Sequence, residues 1–331
     1  MWKLKWSRPL RGSRLVLWVI VVALIATFAC STSSSAAVVV RDTWRDGTDD
    51  DPASPAYSEN GADTDLDGDV ESVWFQGGGG SLNPAGPGGP LEMIMDGGPT
   101  GTSSSSWTTY FTPEGSEVNL ANPGNRVRVT WIFTTNEVNA TNGSQNLRIA
   151  LVDSPAASRI SANGTPGSST YAGYAIFGNM GETLGHSNPY ELMERTDPNA
   201  SSALLSSSGS WEDDNLATFG GTNGNHGYDD NTRYKFIMEL TRTALGELRV
   251  SSTMTGGTLD GTGSISVSTV DTSPQSFIYD TFALRPSSAA TTTDQFDTHL
   301  FRVDFIVPEP ASVLLLGMGG FALTLLRRRA S

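Results

Sequence analysis

The stretch with the most chemistry in it is Asp63-Thr64-Asp65-Leu66-Asp67-Gly68-Asp69-Val70-Glu71. Carboxylates at alternate positions offer oxygen ligands at an even spacing, and Gly68 permits the tight turn that gathers them. Calcium takes roughly six to eight such oxygens. The spacing therefore points to calcium as a cofactor, with Asp63, Asp65, Asp67 and Asp69 as its ligands. The other reading of the same residues is a solvated acidic loop. Asp49-Asp50-Asp51, Glu212-Asp213-Asp214 and Asp229-Asp230 are further acidic clusters. Their consecutive carboxylates diverge on extended backbone, which suits solvated loops better than ligand sets.

Indoles are the second candidate chemistry, because sugar rings stack on exposed aromatic faces. Trp107 follows four serines and Trp211 precedes Glu212-Asp213-Asp214. Both contexts read as loops, so these two residues are the expected carbohydrate-binding platforms. Trp131, between Thr130 and Ile132 in strand-like sequence, is expected in the core.

Catalytic signals are sparse. The three histidines, His186, His226 and His299, are far apart and lack metal-ligand spacing. There is no G-x-S-x-G elbow and no G-x-x-x-x-G-K-[ST] phosphate loop. Glycoside cleavage needs two carboxylates about 5 to 10 Å apart. No strand carries such a pair, and Glu239 and Glu247 each stand alone. A non-enzymatic role is the expectation. The alternative is a secreted carbohydrate-active enzyme, a glycoside hydrolase or polysaccharide lyase, whose carboxylates meet from distant strands.

The acidic stretch resembles the start of an EF-hand-type calcium loop. Asp63, Asp65 and Asp67 match positions one, three and five, Gly68 matches six, and Val70 the apolar position eight. Asp69 matches position seven, where the resemblance implies a backbone carbonyl ligand. Trp74 stands where that family has a bidentate glutamate, and flanking helices are not evident. A further carboxylate, Glu71 or a distant aspartate, would have to complete the site.

These residues are carried by a body between two very different ends. Lys3, Lys5, Arg8, Arg11 and Arg14 precede an apolar run from Leu15 to Ala29, and small residues around Ser35-Ala36-Ala37 follow. Residues 1–36 therefore read as a signal peptide for the general secretory route. Cys30 is the only cysteine, and Thr27-Phe28-Ala29 before it is a poor lipidation context. Cleavage would leave an exported chain without disulfides. At the other end, Pro308-Glu309-Pro310 leads into sixteen apolar residues, Ala311 to Leu326, closed by Arg327, Arg328 and Arg329. As a helix that run rises about 24 Å, a minimal membrane span, with the arginines expected on the cytoplasmic side.

The segment 307–329 resembles the PEP-CTERM sorting signal of bacterial exported proteins. The resemblance implies recognition at Pro308-Glu309-Pro310 by an exosortase, a membrane-embedded cysteine transpeptidase that removes the tail. It also implies hosts that make extracellular polysaccharide. The expected path is export, membrane anchoring through the C-terminal helix, then processing to the cell surface or extracellular matrix.

Eight of the 21 basic residues lie in these end segments, but only one of the 35 acidic residues does. The body between them thus carries 13 against 34, a balance near −21. Such a body repels nucleic acid, which is excluded as a partner, and attracts divalent cations.

Residues 37–306 are expected to form one extracellular β-sandwich domain. No apolar pattern of helical period is sustained, whereas period-two alternation recurs. In Arg233–Thr241, Tyr234, Phe236, Met238 and Leu240 share one face. Leu248, Val250, Ser252 and Met254 continue it after a turn at Ala244-Leu245-Gly246-Glu247, which predicts an antiparallel hairpin. Further strands are expected at 126–133, 146–152, 171–177, 264–270, 277–284 and 300–306. Gly77–Gly80 and Asn83–Pro90 read as a long loop. The fold class is all-β, an antiparallel sandwich or jelly roll. The tyrosine-rich strand, the Leu-Gly-Glu-Leu turn, the return strand and Phe277-Ile278-Tyr279-Asp280-Thr281-Phe282-Ala283-Leu284-Arg285 resemble the second half of concanavalin A-like or laminin-G-like jelly rolls. That resemblance implies a fold shared by lectins, hydrolases, lyases and inert spacers.

Overall fold

The computed structural model describes residues 34–49, 56–97, 100–167, 171–196, 203–206, 209–212, 216 and 218–308. Most of the signal peptide, Asp50, Asp51, Asp213, Asp214, Glu309, Pro310 and the tail through Arg327, Arg328 and Arg329 lie outside the described residues. The terminal helices expected from the sequence lie there too. Among the described residues no helix is long and apolar enough to cross a membrane. Ala36–Val307 is one compact unit.

The alternating segment forms the expected hairpin. Arg233–Ala244 and Glu247–Thr255 pair antiparallel, with Phe236 opposite Met254, Met238 opposite Ser252 and Leu240 opposite Val250. Tyr234, Phe236, Met238, Leu240, Leu248, Val250 and Met254 are all fully buried, as one face of a half-buried sheet should be. Arg126–Asn136 pairs on the other side and sets Trp131 against Phe236 and Val129 against Met238 in register.

This hairpin belongs to an eight-stranded antiparallel sheet. Its order is Ser264–Asp271, Glu247–Thr255, Arg233–Ala244, Arg126–Asn136, Gln295–Pro308, Leu91–Ile94 and Ser81–Pro84, with Ser34–Asp42 also paired to Gln295–Pro308. A second eight-stranded sheet runs Trp211–Glu212, Tyr190–Arg195, Ala172–Gly178, Leu147–Asp153, Thr281–Pro286, Ser105–Tyr110 and Trp74–Gly78. Phe219–Gly220 pairs with Tyr190–Arg195 off that path. The two sheets lie face to face over one apolar core. Aromatic rings lock them across the gap: Trp74 meets Phe301 at 5.1 Å, Phe282 meets Phe301 at 5.1 Å, and Trp107 meets Phe296 at 6.2 Å. Edge and tilted contacts of this kind add about 0.5–1.5 kcal/mol each beyond the area they bury.

Two readings of the chain need correction. The expected strand 277–284 is divided into Ile278–Tyr279, which pairs with Val118–Asn119, and Thr281–Pro286 in the second sheet, with Asp280 between them turning its side chain to the buried Arg159. Gly77–Gly80 and Asn83–Pro90 are not one long loop. Trp74–Gly78 belongs to the second sheet and Ser81–Pro84 to the first, so the glycine run carries the chain from one layer to the other. A Cβ on Gly78 would lie 2.2 Å from the Ser104 carbonyl oxygen, and its φ of +74° is left-handed. Glycine is required there by both contacts and backbone.

The second sheet has a cover on its outer side. Ala150, Val152, Tyr171, Ala175, Phe177 and Ala283 point away from the main core and pack with Leu204, Leu205 and Trp211 in a smaller apolar cluster. Tyr110, Val73 and Phe75 form a third. Leu204 and Leu205 thus form a partial cover over this face, and strands beneath them are buried on both faces.

Candidate functional site

The acidic loop is curled by its own carboxylates. Asp63 accepts hydrogen bonds from the Leu66 and Gly68 amides at 2.7 and 3.0 Å, Asp65 from the Asp67 amide at 3.1 Å, and Asp67 from the Asp69 amide at 2.7 Å. Short-range bonds of this type are what let aspartate hold a turn. Leu66 and Gly68 both take positive φ to complete the curl.

The structure divides the expected ligand set. Glu59, Asp63 and Asp65 bring carboxylate oxygens within 4.8 Å of one another, and Asp46, Asp67 and Glu71 form a second such group. The Asp69 side chain joins neither. It is buried, ion-paired to Arg41 at 3.0 Å and hydrogen-bonded by the Thr43 amide at 2.7 Å, which leaves only its backbone carbonyl as a ligand. Trp74, at the position of the EF-hand glutamate, is a core residue.

Of the two groups, Asp46, Asp67 and Glu71 fit a cation better. Asp67 Oδ2 is buried and accepts no hydrogen bond, so one carboxylate oxygen is left for a ligand. Burial pushes the Asp67 carboxyl up from the ordinary aspartate range, with Asp65, Asp69 and Asp63 adding to the effect. Burial, opposed by the Trp44 amide hydrogen bond, pushes Asp42 much further up, and Asp69, Asp46 and Asp67 reinforce it. Arg41 and Arg45 supply part of the missing positive charge, Arg45 through the Asp67 carbonyl at 3.2 Å. A divalent ion would supply the rest.

The expected sugar platforms are not platforms. Trp107 is 0% exposed and Trp211 2% exposed. The first lies in the inter-sheet core on Ser105–Tyr110, and the second packs on Phe177 at 5.9 Å beneath the Arg195 guanidinium. Serines and acidic residues beside them suggest loops, but Trp107 lies with Ser105 and Ser106 in one strand and Trp211 with Glu212 in another. Neither indole offers a face to a sugar ring.

The histidines are solitary. His226 pairs with Asp229 at 2.8 Å, His186 Nδ1 accepts from the Asn188 amide at 3.0 Å, and His299 meets Thr134 at 2.9 Å. Glu239 is held by Arg128 at 2.6 Å and Arg126 at 3.6 Å.

Sequence reasoning missed a carboxyl pair. Glu194, on Tyr190–Arg195, and Asp271, at the end of Ser264–Asp271, come from different sheets and meet at the edge of the sandwich. Tyr174 donates to Asp271 at 2.5 Å, and the Gln275 amide donates to Glu194 at 3.0 Å. Burial first, then the Asp271 carboxylate, pushes Glu194 up to about 7. Both residues are 1% exposed. The pair has a dyad's proximity without a dyad's access to substrate. No sequence signal could have joined residues 77 positions apart on separate sheets.

The fold places this chain among all-β antiparallel sandwiches. Solved structures similar to it are lectin-like. They include the VIP36 exoplasmic/lumenal domain in its Ca2+/Man3GlcNAc-bound form, 14% identical over 70% of this chain and 84% of that one, with a TM-score of 0.39. Peanut lectin with a 9mer peptide is 9% identical, covers 84% of this chain and 99% of its own, and has a TM-score of 0.37. The Lotus tetragonolobus seed lectin is 10% identical over 72% and 94% respectively, with a TM-score of 0.38. No curated protein matches the chain. Residues 307–329 match the PEP-CTERM protein-sorting motif. The protein therefore carries a sorting signal for export.

Proposed function

We propose that this is a non-enzymatic surface or matrix protein that binds extracellular polysaccharide after sorting by an exosortase. In this reading residues 1–36 are the signal peptide, 37–306 the extracellular sandwich and 307–329 the sorting signal with its membrane helix. The observation that carries it is the PEP-CTERM match at residues 307–329, attached to a folded, strongly acidic body. The non-enzymatic part of the reading is supported by three carboxyls among the described residues. Glu194 and Asp271 are sealed from any polymer, and Glu239 is neutralised by two arginines.

Calcium belongs to the same reading as a structural ion. Asp46, Asp67 and Glu71 would hold it, with no step of chemistry assigned to it. Its role would be to neutralise the loop beside Ser34–Asp42 and fix the curl. Isothermal titration of the exported protein should give calcium heat that Asp67→Ala abolishes and Asp65→Ala leaves largely intact. No heat in the unmodified protein ends the calcium assignment.

The functional test incubates the exported protein with the polysaccharide of its host. Retention on the polymer without release of reducing ends or unsaturated sugars supports the reading. Turnover would establish the carbohydrate-active enzyme instead, and failure to bind any polysaccharide would remove the binding role.

A further inference from the structure

The outer side of the second sheet holds a polar cleft of about 120 Å3, lined by Ser104, Arg148, Ser206, Arg285 and Ser287. Its floor is a cross-strand pair. Arg285, on Thr281–Pro286, sits directly opposite Arg148, on Leu147–Asp153. Alternation along both strands puts the arginines on the side of Ala150 and Ala283, away from the main core that takes Leu147, Ile149 and Leu284. Like charges in directly opposed positions repel, and this pair would be selected against without compensation.

No compensating carboxylate is found among the described residues. Among the described residues neither Arg148 nor Arg285 forms an ion pair, whereas Arg41, Arg126, Arg128, Arg159 and Arg302 all do. In a body near −21, two adjacent cations without an acid between them stand out. They are also held in place. The Arg148 guanidinium lies 4.7 Å over the Phe177 ring, and its Nη1 donates to the Leu205 carbonyl at 2.6 Å. Leu205 is itself at a φ of +64°, a left-handed conformation uncommon for leucine. Arg285 Nη2 donates to Ser104 Oγ at 2.7 Å. Arg148 Nε is buried and has no acceptor.

Each guanidinium thus spends one nitrogen on the protein. Burial lowers the pKa of both, and Arg285 lowers that of Arg148 further. The environment is poorer in negative charge than two arginines want. A planar oxyanion between them would accept parallel N–H donors in the fork geometry arginine favours, while the serine hydroxyls bond its remaining lone pairs. The volume suits one charged group and the edge of one ring. A dry cavity of about 150 Å3 holds a benzene.

The geometry points to a carboxylate-binding subsite in this cleft, with Arg148 and Arg285 clamping the uronate group of an acidic polysaccharide. The inference rests on the polysaccharide-binding reading and names the sugar class that reading leaves open. Its physical consequence is selectivity. An acidic body repels an acidic polymer everywhere except at such a cleft, so binding is confined to it and weakens as salt screens the pair.

The test titrates the full exported protein with a galacturonate trimer, a neutral galactose trimer and inorganic sulfate. The galacturonate trimer should bind, the neutral trimer should not, and Arg285→Gln should weaken the uronate at least tenfold. Arg148 is too deeply packed on Phe177 to be the primary probe, so Arg148→Lys serves as a second variant that keeps the charge and loses the fork. Its thermal midpoint is recorded alongside wild type, and weakened uronate binding at an unchanged midpoint supports the clamp. Sulfate binding more tightly than galacturonate, with the same arginine dependence, overturns the carboxylate assignment. Retention of neutral polysaccharide with no uronate or sulfate response and no effect of Arg285→Gln overturns the inference while the polysaccharide-binding reading stands. Galacturonate binding that Arg285→Gln weakens, in a protein that retains no polymer, leaves the anion site and removes that reading.

Discussion

Arg159 and Asp280 meet at 2.7 Å inside the protein, their side chains 1% and 0% exposed. The pair is fully furnished. Asp280 also accepts from the Ser154 amide at 2.9 Å and hydroxyl at 2.8 Å, and Arg159 donates to the Thr112 carbonyl at 2.7 Å. The guanidinium lies over the rings of Tyr110 and Tyr57, at 5.0 and 5.3 Å. It ties the loop after Leu147–Asp153 to the residue between Ile278–Tyr279 and Thr281–Pro286, whose backbone bonds Val152 and Phe111.

Breaking one side of such a pair leaves an uncompensated buried charge, which costs about 3–5 kcal/mol. Arg159→Leu is expected to lower unfolding free energy by that amount, read from urea midpoints at constant slope. Arg159→Leu with Asp280→Asn should recover part of it, because the neutral amide no longer needs a cation. A double variant no more stable than Arg159→Leu alone would show that the arginine acts through its ring contacts and not through the carboxylate.

The Glu194–Asp271 contact makes a prediction about pH. A glutamate outside the fold titrates at 4.5, and in the fold Glu194 titrates at about 7. Between those values the folded protein keeps a proton that the unfolded chain has released. Its contribution to stability is therefore full below about pH 4.5 and lost as pH rises through 7. Asp153, pushed up to about 6 by burial and then by Asp280, acts in the same direction. Glu194→Gln should flatten the fall in denaturant midpoint between pH 5 and pH 8 and should be the more stable protein at pH 8. An unaltered slope would mean the pair is not where the proton resides.

What could be read from the chain depended on whether a strand had one covered face or two. Arg233–Ala244 is covered on one side, so Tyr234, Phe236, Met238 and Leu240 alternate with partly exposed neighbours and the hairpin is plain. Ser105–Tyr110 and Tyr190–Arg195 are buried at all six positions, and there the alternation vanishes. Ser106, Thr108 and Tyr110 face the outer clusters as Trp107 faces the core, so a buried strand reads as a polar loop and Trp107 as an exposed indole. The acidic loop was legible as a curl, because its bonds are local. Its division into two groups was not, since Asp46 and Glu59 enter from outside the motif. The arginine cleft depends on a register between strands more than 130 residues apart, which no local pattern encodes.

Gly78 tests the crossing between sheets. Its left-handed φ alone costs a residue with a Cβ roughly 1–3 kcal/mol. The added carbon would also overlap the Ser104 carbonyl at 2.2 Å, where backbone has to move. Gly78→Ala is thus expected to destabilise by more than the backbone strain, with loss measured from thermal and urea midpoints. Gly86 shares a positive φ but meets nothing within 4 Å, so Gly86→Ala should show the strain without the overlap. Equal losses at the two positions would argue that the close approach at Gly78 relaxes freely.

The last prediction concerns the junction between body and tail. Gln295–Pro308 is an inner strand whose pairing with Arg126–Asn136 runs to Ile306, opposite Arg126. Pro308, the last described residue of that strand, has no amide hydrogen to give a ladder. Val307, where the compact unit ends, is exposed. Replacing the three residues with alanine should leave an unprocessed precursor in the membrane fraction, detected by its intact mass. A mature mass that still lacks the tail would show that the motif is not what directs removal. Inserting a short Gly-Ser spacer between Val307 and Pro308 separates recognition from access. If the strand end limits access, the spacer raises the rate of processing; an unchanged rate would place the slow step in recognition of the motif itself.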